Sequence, residues 1–293
     1  MQTRREFLRR SSAGLVGLAG IAGLSAAGMR GLAYAAGAKR PIGVQLYTVR
    51  TLAEEDLPSV LAQIRKIGYR EVETYWNVYT HPAKELRRMI LDHGLRVPSG
   101  HFDYDGLGGK LDYAKELGVE YVVCPMLPRG MQNSLDGFQK AADQFNQWGE
   151  QVSKMGMRLA FHNHNYEFQQ FGNTTGYDTL LARTDPKLVF LEMDCYWITQ
   201  AGRDPLAMLR KHGDRIRMLH LKDRKPGFPF TQHLNESAEH FTEVGTGMVA
   251  YKEILAEAEK QGIQHMFVEQ DSTTIPPMES LRISYDNIEK LMA

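Results

Sequence analysis

Cysteine is nearly absent from this chain: Cys124 and Cys195 are the two in 293 residues. Each ends an apolar run, so both are expected as buried free thiols rather than as a disulfide pair. Net charge is absent too, with Lys plus Arg and Asp plus Glu at 35 each. A chain without a basic excess has no electrostatic reason to seek a polyanion, which argues against a nucleic-acid partner. Also lacking are an internal linker, a low-complexity tract and a sign of a second domain. The uncharged stretch from Ala13 to Ala27, rich in Gly and Ala, is too short and too mildly hydrophobic for a stable membrane span.

What is present begins with a distinctive N-terminus. Thr3-Arg4-Arg5-Glu6-Phe7-Leu8 has the twin-arginine form, and Ala33-Tyr34-Ala35 supplies a small-x-small cleavage pattern. Residues 1–38 are therefore expected to be a cleavable twin-arginine signal peptide and short linker. The expected partner is the twin-arginine export machinery, and the expected location is periplasmic or extracellular. That route carries folded proteins, which suits an enzyme that acquires a metal before export. Residues 39–293, about 255 in number, match the size of one (β/α)8 barrel.

From Arg40 onward, short β-rich apolar runs alternate with longer amphipathic stretches, the pattern of repeated βα units around a parallel sheet. Strands are predicted over Ile42–Tyr47, Glu71–Thr74, Arg96–His101, Tyr121–Pro125, Arg158–His162, Val189–Asp194, Ile216–Leu221 and His265–Glu269. Helices are predicted over Leu57–Ile67, Ala83–His93, Lys110–Leu117, Phe138–Lys154, Tyr177–Ala182, Pro205–Lys211, Tyr251–Lys260 and Ser280–Leu291. Gly68, Gly94, Gly118, Gly156, Gly213 and Gly262 stand where C-capping glycines belong. The regular rhythm favours a closed α/β (TIM) barrel over an open doubly wound sheet. Asp223–Val249, after the seventh strand, is the longest stretch without regular structure and the expected place of a functional lid.

In such a barrel the chemistry sits at the C-terminal strand ends. Those ends read Glu71-Val-Glu73, Ser99-Gly-His101, His162-Asn-His164-Asn165, Glu192-Met-Asp194, His220-Leu-Lys222-Asp223 and Glu269-Gln-Asp271. Each follows an apolar run, where a lone polar residue costs several kcal/mol unless paired or metal-bound. Asp194, Glu269 and two histidines offer a mixed imidazole and carboxylate set. That set suits one divalent ion, manganese, cobalt or zinc ahead of magnesium.

At these residues the sequence resembles the xylose-isomerase-like sugar phosphate isomerase/epimerase superfamily, which includes ketose 3-epimerases and inosose dehydratases. Ile42-Gly-Val-Gln-Leu-Tyr-Thr-Val-Arg50, His162-Asn-His-Asn165, Asp194-Cys-Tyr-Trp197, His220-Leu-Lys-Asp223 and Val268-Glu269 carry the resemblance. In ketose 3-epimerases a Glu, Asp, His, Glu set from strands five to eight holds the metal. The resemblance thus implies ligand roles for Asp194, His220 and Glu269. Strand five departs from the family, with His162 at the glutamate position and His164 two residues on; which of the two is the ligand stays open. The endonuclease IV branch, with its multinuclear zinc and DNA-binding surface, fits neither the neutral charge nor an export signal.

The chemistry implied is proton abstraction next to a carbonyl on a free sugar, keto-sugar or cyclitol. Glu269 is the expected base, His164 its acid or base partner, and Lys222 a neutraliser of oxyanion charge. Glu73, His101 and Trp197 are expected to hydrogen-bond or stack on the sugar. An isomerase or epimerase is the first expectation, and a lyase or dehydratase using the same enediolate the second. A periplasmic sugar-binding barrel without catalysis is a third, and self-association is left open.

Overall fold

A computed structural model describes residues 40–234 and 237–293. The expected signal segment lies outside these residues. Eight parallel strands close into a barrel: β1 Gly43–Gln45, β2 Glu71–Thr74, β3 Arg96–His101, β4 Tyr121–Cys124, β5 Arg158–His162, β6 Val189–Asp194, β7 Ile216–Leu221 and β8 His265–Val268. Each pairs with its sequence neighbours, and β8 closes onto β1 through Gly43 opposite Phe267. A Cβ on Gly43 would come within 2.4 Å of the Phe267 ring, so a residue without a side chain lets that ring fill the barrel interior. Tyr121, Val123, Ala160, Met218 and Phe267 form this apolar plug. Among the described residues no helix is long and apolar enough to cross a membrane.

The surrounding helices are α1 Arg50–Ile67, α2 Ala83–Asp92, α3 Leu111–Leu117, α4 Leu135–Lys154, α5 Gly176–Arg183, α6 Cys195–Gln200, α7 Pro205–His212, α8 Tyr251–Gln261 and α9 Pro277–Leu291. Their apolar stripes face the sheet; α4 buries Phe138, Ala141, Ala142, Phe145, Trp148 and Val152 at helical spacing. Its start is fixed by Ser134, whose Oγ accepts from Gly137 N at 3.1 Å.

Several boundaries differ from expectation for identifiable reasons. β1 is shorter than Ile42–Tyr47 because the chain turns into a 3-10 segment, Leu46–Val49, capped by the Gln45 side chain. α1 starts at Arg50 rather than Leu57: Pro58 does open a helical stretch, with Asp56 accepting from Ser59 N, but a preceding turn fuses to it across non-helical Asp56. Gly213 is not a left-handed cap; its φ is −62°, unlike Gly68, Gly94, Gly118, Gly156 and Gly262. Glu71 belongs to the N-terminal end of β2, paired with Arg96 at 2.5 Å and His265 at 2.8 Å, far from the chemistry expected at the mouth.

The segment after β7 is a tied loop. Asp223 Oδ1 accepts from Arg224 N and Val249 N at 2.8 and 3.1 Å, and Oδ2 from Gly245 N and Gly247 N, both at 2.9 Å. One buried carboxylate thus closes the loop at its base, and a two-residue ribbon, Asp223–Arg224 with Phe241–Thr242, continues the tie. Gly247 has no room for a side chain, since a Cβ would lie 2.3 Å from Asp223 Oδ1. Further out, Asn165 Nδ2 donates to Thr231 O and His233 O at 2.9 and 2.8 Å, holding the loop over the end of β5. Asp223→Ala is expected to lose on the order of 3 kcal/mol of stability, because four N–H groups lose an ionised acceptor. Urea unfolding measures it, and an unchanged midpoint would show that the loop is held elsewhere.

Candidate active site and metal centre

The strand alternation that buries one face places residues two apart on the same side, about 6.6 Å along the strand. Two polar layers therefore stand above the apolar plug. Gln45, Glu73, Ser99, His101, His162, Glu192 and His220 form the lower one; Asp194, Lys222 and Glu269 form the upper, with His164 and Asp271 beside them. The registers bring them together: Gln45 opposite Glu73, Glu73 opposite Ser99, His162 opposite Glu192, and Asp194 opposite His220. All are buried except Asp271, which is partly exposed.

Contacts within the lower layer are tight. Glu73 accepts from Gln45 Nε2 at 2.8 Å, from Ser99 Oγ at 2.6 Å and from His220 Nε2 at 2.7 Å. Glu192 Oε2 lies 2.8 Å from His101 Nε2 and 3.1 Å from His162 Nδ1. Burial opposes charge on His101, yet Glu73 and Glu192 overcome it and raise its pKa to about 10. His220 is likewise raised against its burial, by Glu192 and Glu269. His162 moves the other way, lowered by burial and then by the neighbouring cationic groups.

In the upper layer Lys222 Nζ lies 3.1 Å from Asp194 Oδ2, 2.8 Å from Glu269 Oε2 and 2.7 Å from Asp271 Oδ2. Burial works against its ammonium, but these three carboxylates hold it charged. Glu269 stays ionised for the converse reason, burial being outweighed by Lys222 and His220. Asp271 is raised to about 7, burial prevailing over Lys222. His164 is lowered to about 3, first by burial and then by Lys222, and its Nδ1 is buried with no hydrogen-bond partner. Its ring stands 5.0 Å from that of His162 and 5.2 Å from that of Trp197.

The sequence-predicted metal set converges. His162, Asp194, His220 and Glu269 each offer an atom within 4.8 Å of the others. Asp194 Oδ2 is buried without a hydrogen bond even though Lys222 Nζ is near, an orphaned acceptor of the kind a cation satisfies. Two imidazoles with two carboxylates is also a donor mixture that divalent transition ions accept, so the residues fit a metal. A second group within the same limit, His101 and Glu192 with the shared His162 and His220, reaches deeper into the barrel.

The remaining predicted residues are accounted for as follows. Glu73 is bonded to His220 of the metal set, and His101 to Glu192, which in turn bonds His162. Trp197 is 1% exposed and packs with Tyr196 and Phe241. Sequence reading gave no role to Gln45, Ser99, Glu192, Asp271 or Glu167. Glu192 was legible as the residue two before Asp194 on one strand face. Glu167 accepts from His164 N with both oxygens at 3.0 Å and is raised to about 8 by burial; nothing local in the sequence marks it.

Comparison with known proteins decides the lineage. The family model described as xylose isomerase-like TIM barrel matches residues 61–290. The chain belongs to that family. Within the xylose isomerase-like family, an inosose dehydratase of Clostridium tetani is 31% identical over 263 residues, 78% of this chain and 87% of the relative. A Parabacteroides distasonis structure described as a sugar phosphate isomerase/epimerase superposes with TM-score 0.71 at 24% identity, covering 87% of this chain and 96% of that one. The IOLI protein, solved with a bound zinc atom, gives TM-score 0.65 at 16% identity over 86% of this chain and 97% of its own. The relatives of this xylose isomerase-like barrel are sugar-modifying enzymes, and its buried His/Glu cluster is consistent with a divalent metal.

Proposed function

We propose that the protein is a divalent-metal enzyme that removes the proton beside a carbonyl of a keto-sugar or cyclitol. The observation that carries the proposal is the convergence of His162, Asp194, His220 and Glu269 at one buried strand-end site, where Asp194 Oδ2 and His164 Nδ1 make no hydrogen bond. An ion bound to those four residues would acidify the C–H and offset the charge of the enediolate. Glu269 takes the proton from carbon. Lys222, held by Asp271, brings a fixed positive charge to the developing oxyanion. His164 exchanges the second proton, either onto the opposite face of the same carbon or onto a hydroxyl departing from the carbon beyond it.

Those two fates are epimerisation and dehydration. The dehydration reading is favoured by the inosose dehydratase at 31% identity; the isomerase or epimerase reading uses the same first step. A non-catalytic sugar-binding barrel has no use for the convergent metal donors. Incubating the protein with manganese or cobalt against inososes, 3-keto sugars and ketohexoses, with products identified by NMR, tests the proposal. An enone product supports the lyase and an epimer the isomerase; no turnover of any carbonyl substrate would contradict both.

Export remains part of the proposal. Lys at both Arg4 and Arg5 is expected to leave the precursor in the cytoplasm, because the twin-arginine receptor reads that pair. Cell fractionation checks it, and normal export of the double variant would remove the targeting claim.

A further inference from the structure

We infer that Glu73 and Glu192 are positioning residues that aim His220 and His162 at the metal, fixing which ring nitrogen of each is left to bind it. The inference rests on the reading of the upper layer as the metal position.

Both rings span the two layers with opposite nitrogens. His162 turns Nδ1 to Glu192 Oε2, 3.1 Å away, and Nε2 toward Asp194 Oδ2 at 3.8 Å. His220 turns Nε2 to Glu73 Oε2 at 2.7 Å, and Nδ1 toward Glu269 Oε2 and Asp194 Oδ2 at 2.9 and 3.9 Å. A carboxylate can only accept, so His162 Nδ1, facing Glu192, carries a proton and leaves Nε2 to the upper layer. His220 donates from both nitrogens, Nε2 to Glu73 and Nδ1 to Glu269, and an ion held by Asp194 and Glu269 would take the place of the Nδ1 proton alone, with Glu73 keeping the one on Nε2.

The two glutamates are themselves held. Gln45 and Ser99, on the strands flanking β2 and in register with Glu73, donate to its two oxygens. His101 donates to Glu192. This places Glu73 and His101 beneath the imidazoles, in support of them, where the sequence alone set them against the sugar.

The lower group, His101, His162, Glu192 and His220, is the competing position for an ion. Each group holds one buried carboxylate oxygen without a hydrogen bond, Glu192 Oε1 below and Asp194 Oδ2 above, but the lower ring nitrogens already have carboxylate partners at 2.7 to 3.1 Å, whereas His162 Nε2 stands 3.8 Å from Asp194 Oδ2. The wider spacing above is the one that leaves room for an ion. Support by a carboxylate behind a ligating histidine has a known scale, a 10–100-fold change in metal affinity.

Cobalt(II) titration followed by calorimetry and visible absorption tests this in the full-length protein and in Glu73→Gln, Glu192→Gln, Glu192→Leu and Asp194→Asn. Glu192→Leu is expected to weaken cobalt binding about 10–100-fold while leaving the saturated cobalt spectrum unchanged, because the ligands are the same. Glu73→Gln and Glu192→Gln, isosteric and with an amide oxygen still able to accept from a ring N–H, should each weaken it by less. Asp194→Asn should lose cobalt or change the spectrum. Unchanged affinity in all three glutamate variants would overturn the inference. Loss of cobalt in the Glu192 variants with retention in Asp194→Asn would also overturn it, by making Glu192 a ligand and moving the ion to the lower layer. Failure of the wild-type protein to bind cobalt at all would remove the metal reading itself, and the inference with it.

Discussion

His164→Gln is expected to keep the metal and to slow exchange of the substrate's carbon-bound proton by about 10²–10⁴-fold, the usual loss when a general acid or base is removed. His164 stands beside the metal set rather than in it. Its ring is 5.0 Å from that of His162, its Nδ1 has no protein partner, and its backbone N–H is tied down by the Glu167 carboxylate at 3.0 Å. Gln is close in reach but cannot shuttle a proton near neutral pH, so the substitution separates proton transfer from ligation. Metal content and deuterium uptake measured on one preparation decide the matter. Lost metal would make His164 the strand-five ligand, and retained exchange would take it out of the reaction.

Removal of the metal is the second large effect. Asp194→Asn and His220→Ala are each expected to abolish stoichiometric divalent-ion binding, and activity with it, while the barrel remains folded. Asn is the sharper choice at position 194. Asp194 Oδ1 caps α6 by accepting from Trp197 N at 2.8 Å, and an amide oxygen can keep that cap, worth about 1 kcal/mol, while the charge is lost. His220 has a harder exit: its removal leaves Glu73 and Glu269 each short of a buried donor, so some loss of stability accompanies the loss of metal. Metal analysis after dialysis, together with circular dichroism, separates the two effects. Full occupancy in either variant would mean that the site is wrongly placed.

Much of this was legible because the barrel forces it to be. Strand ends converge at one mouth, so His162, Asp194, His220 and Glu269, spread over about a hundred residues, stood out by their positions after apolar runs, and the family resemblance gave them ligand roles. The His162-Asn-His-Asn165 segment resolves into separate tasks once folded. Asn163 Oδ1 accepts from Asp194 N at 3.1 Å and Asn165 holds the loop after β7, while the histidines face the site. What sequence could not supply was depth. Glu71 and Glu73 look alike on one strand face, yet one ends in an ion pair with Arg96 at the far end of the barrel and the other under His220. Glu192 and Asp194 pose the same problem, and Gln45 escaped notice because its partner is set by strand register rather than by neighbours in the chain. The helix expected from Leu57 starts earlier, at Arg50, because a preceding helical turn fuses to it across the non-helical Asp56.

Solvent-deuterium exchange bears on the central claim most directly. The protein is incubated in deuterated water with an accepted keto-sugar or inosose, with manganese or after chelation, and the carbon beside the carbonyl is followed by NMR. The account predicts metal-dependent loss of that C–H signal, through deuterium in recovered substrate or epimer or through elimination to an enone, and none of it in Glu269→Gln. Turnover with the C–H bond intact, or equal exchange with and without metal, would contradict it.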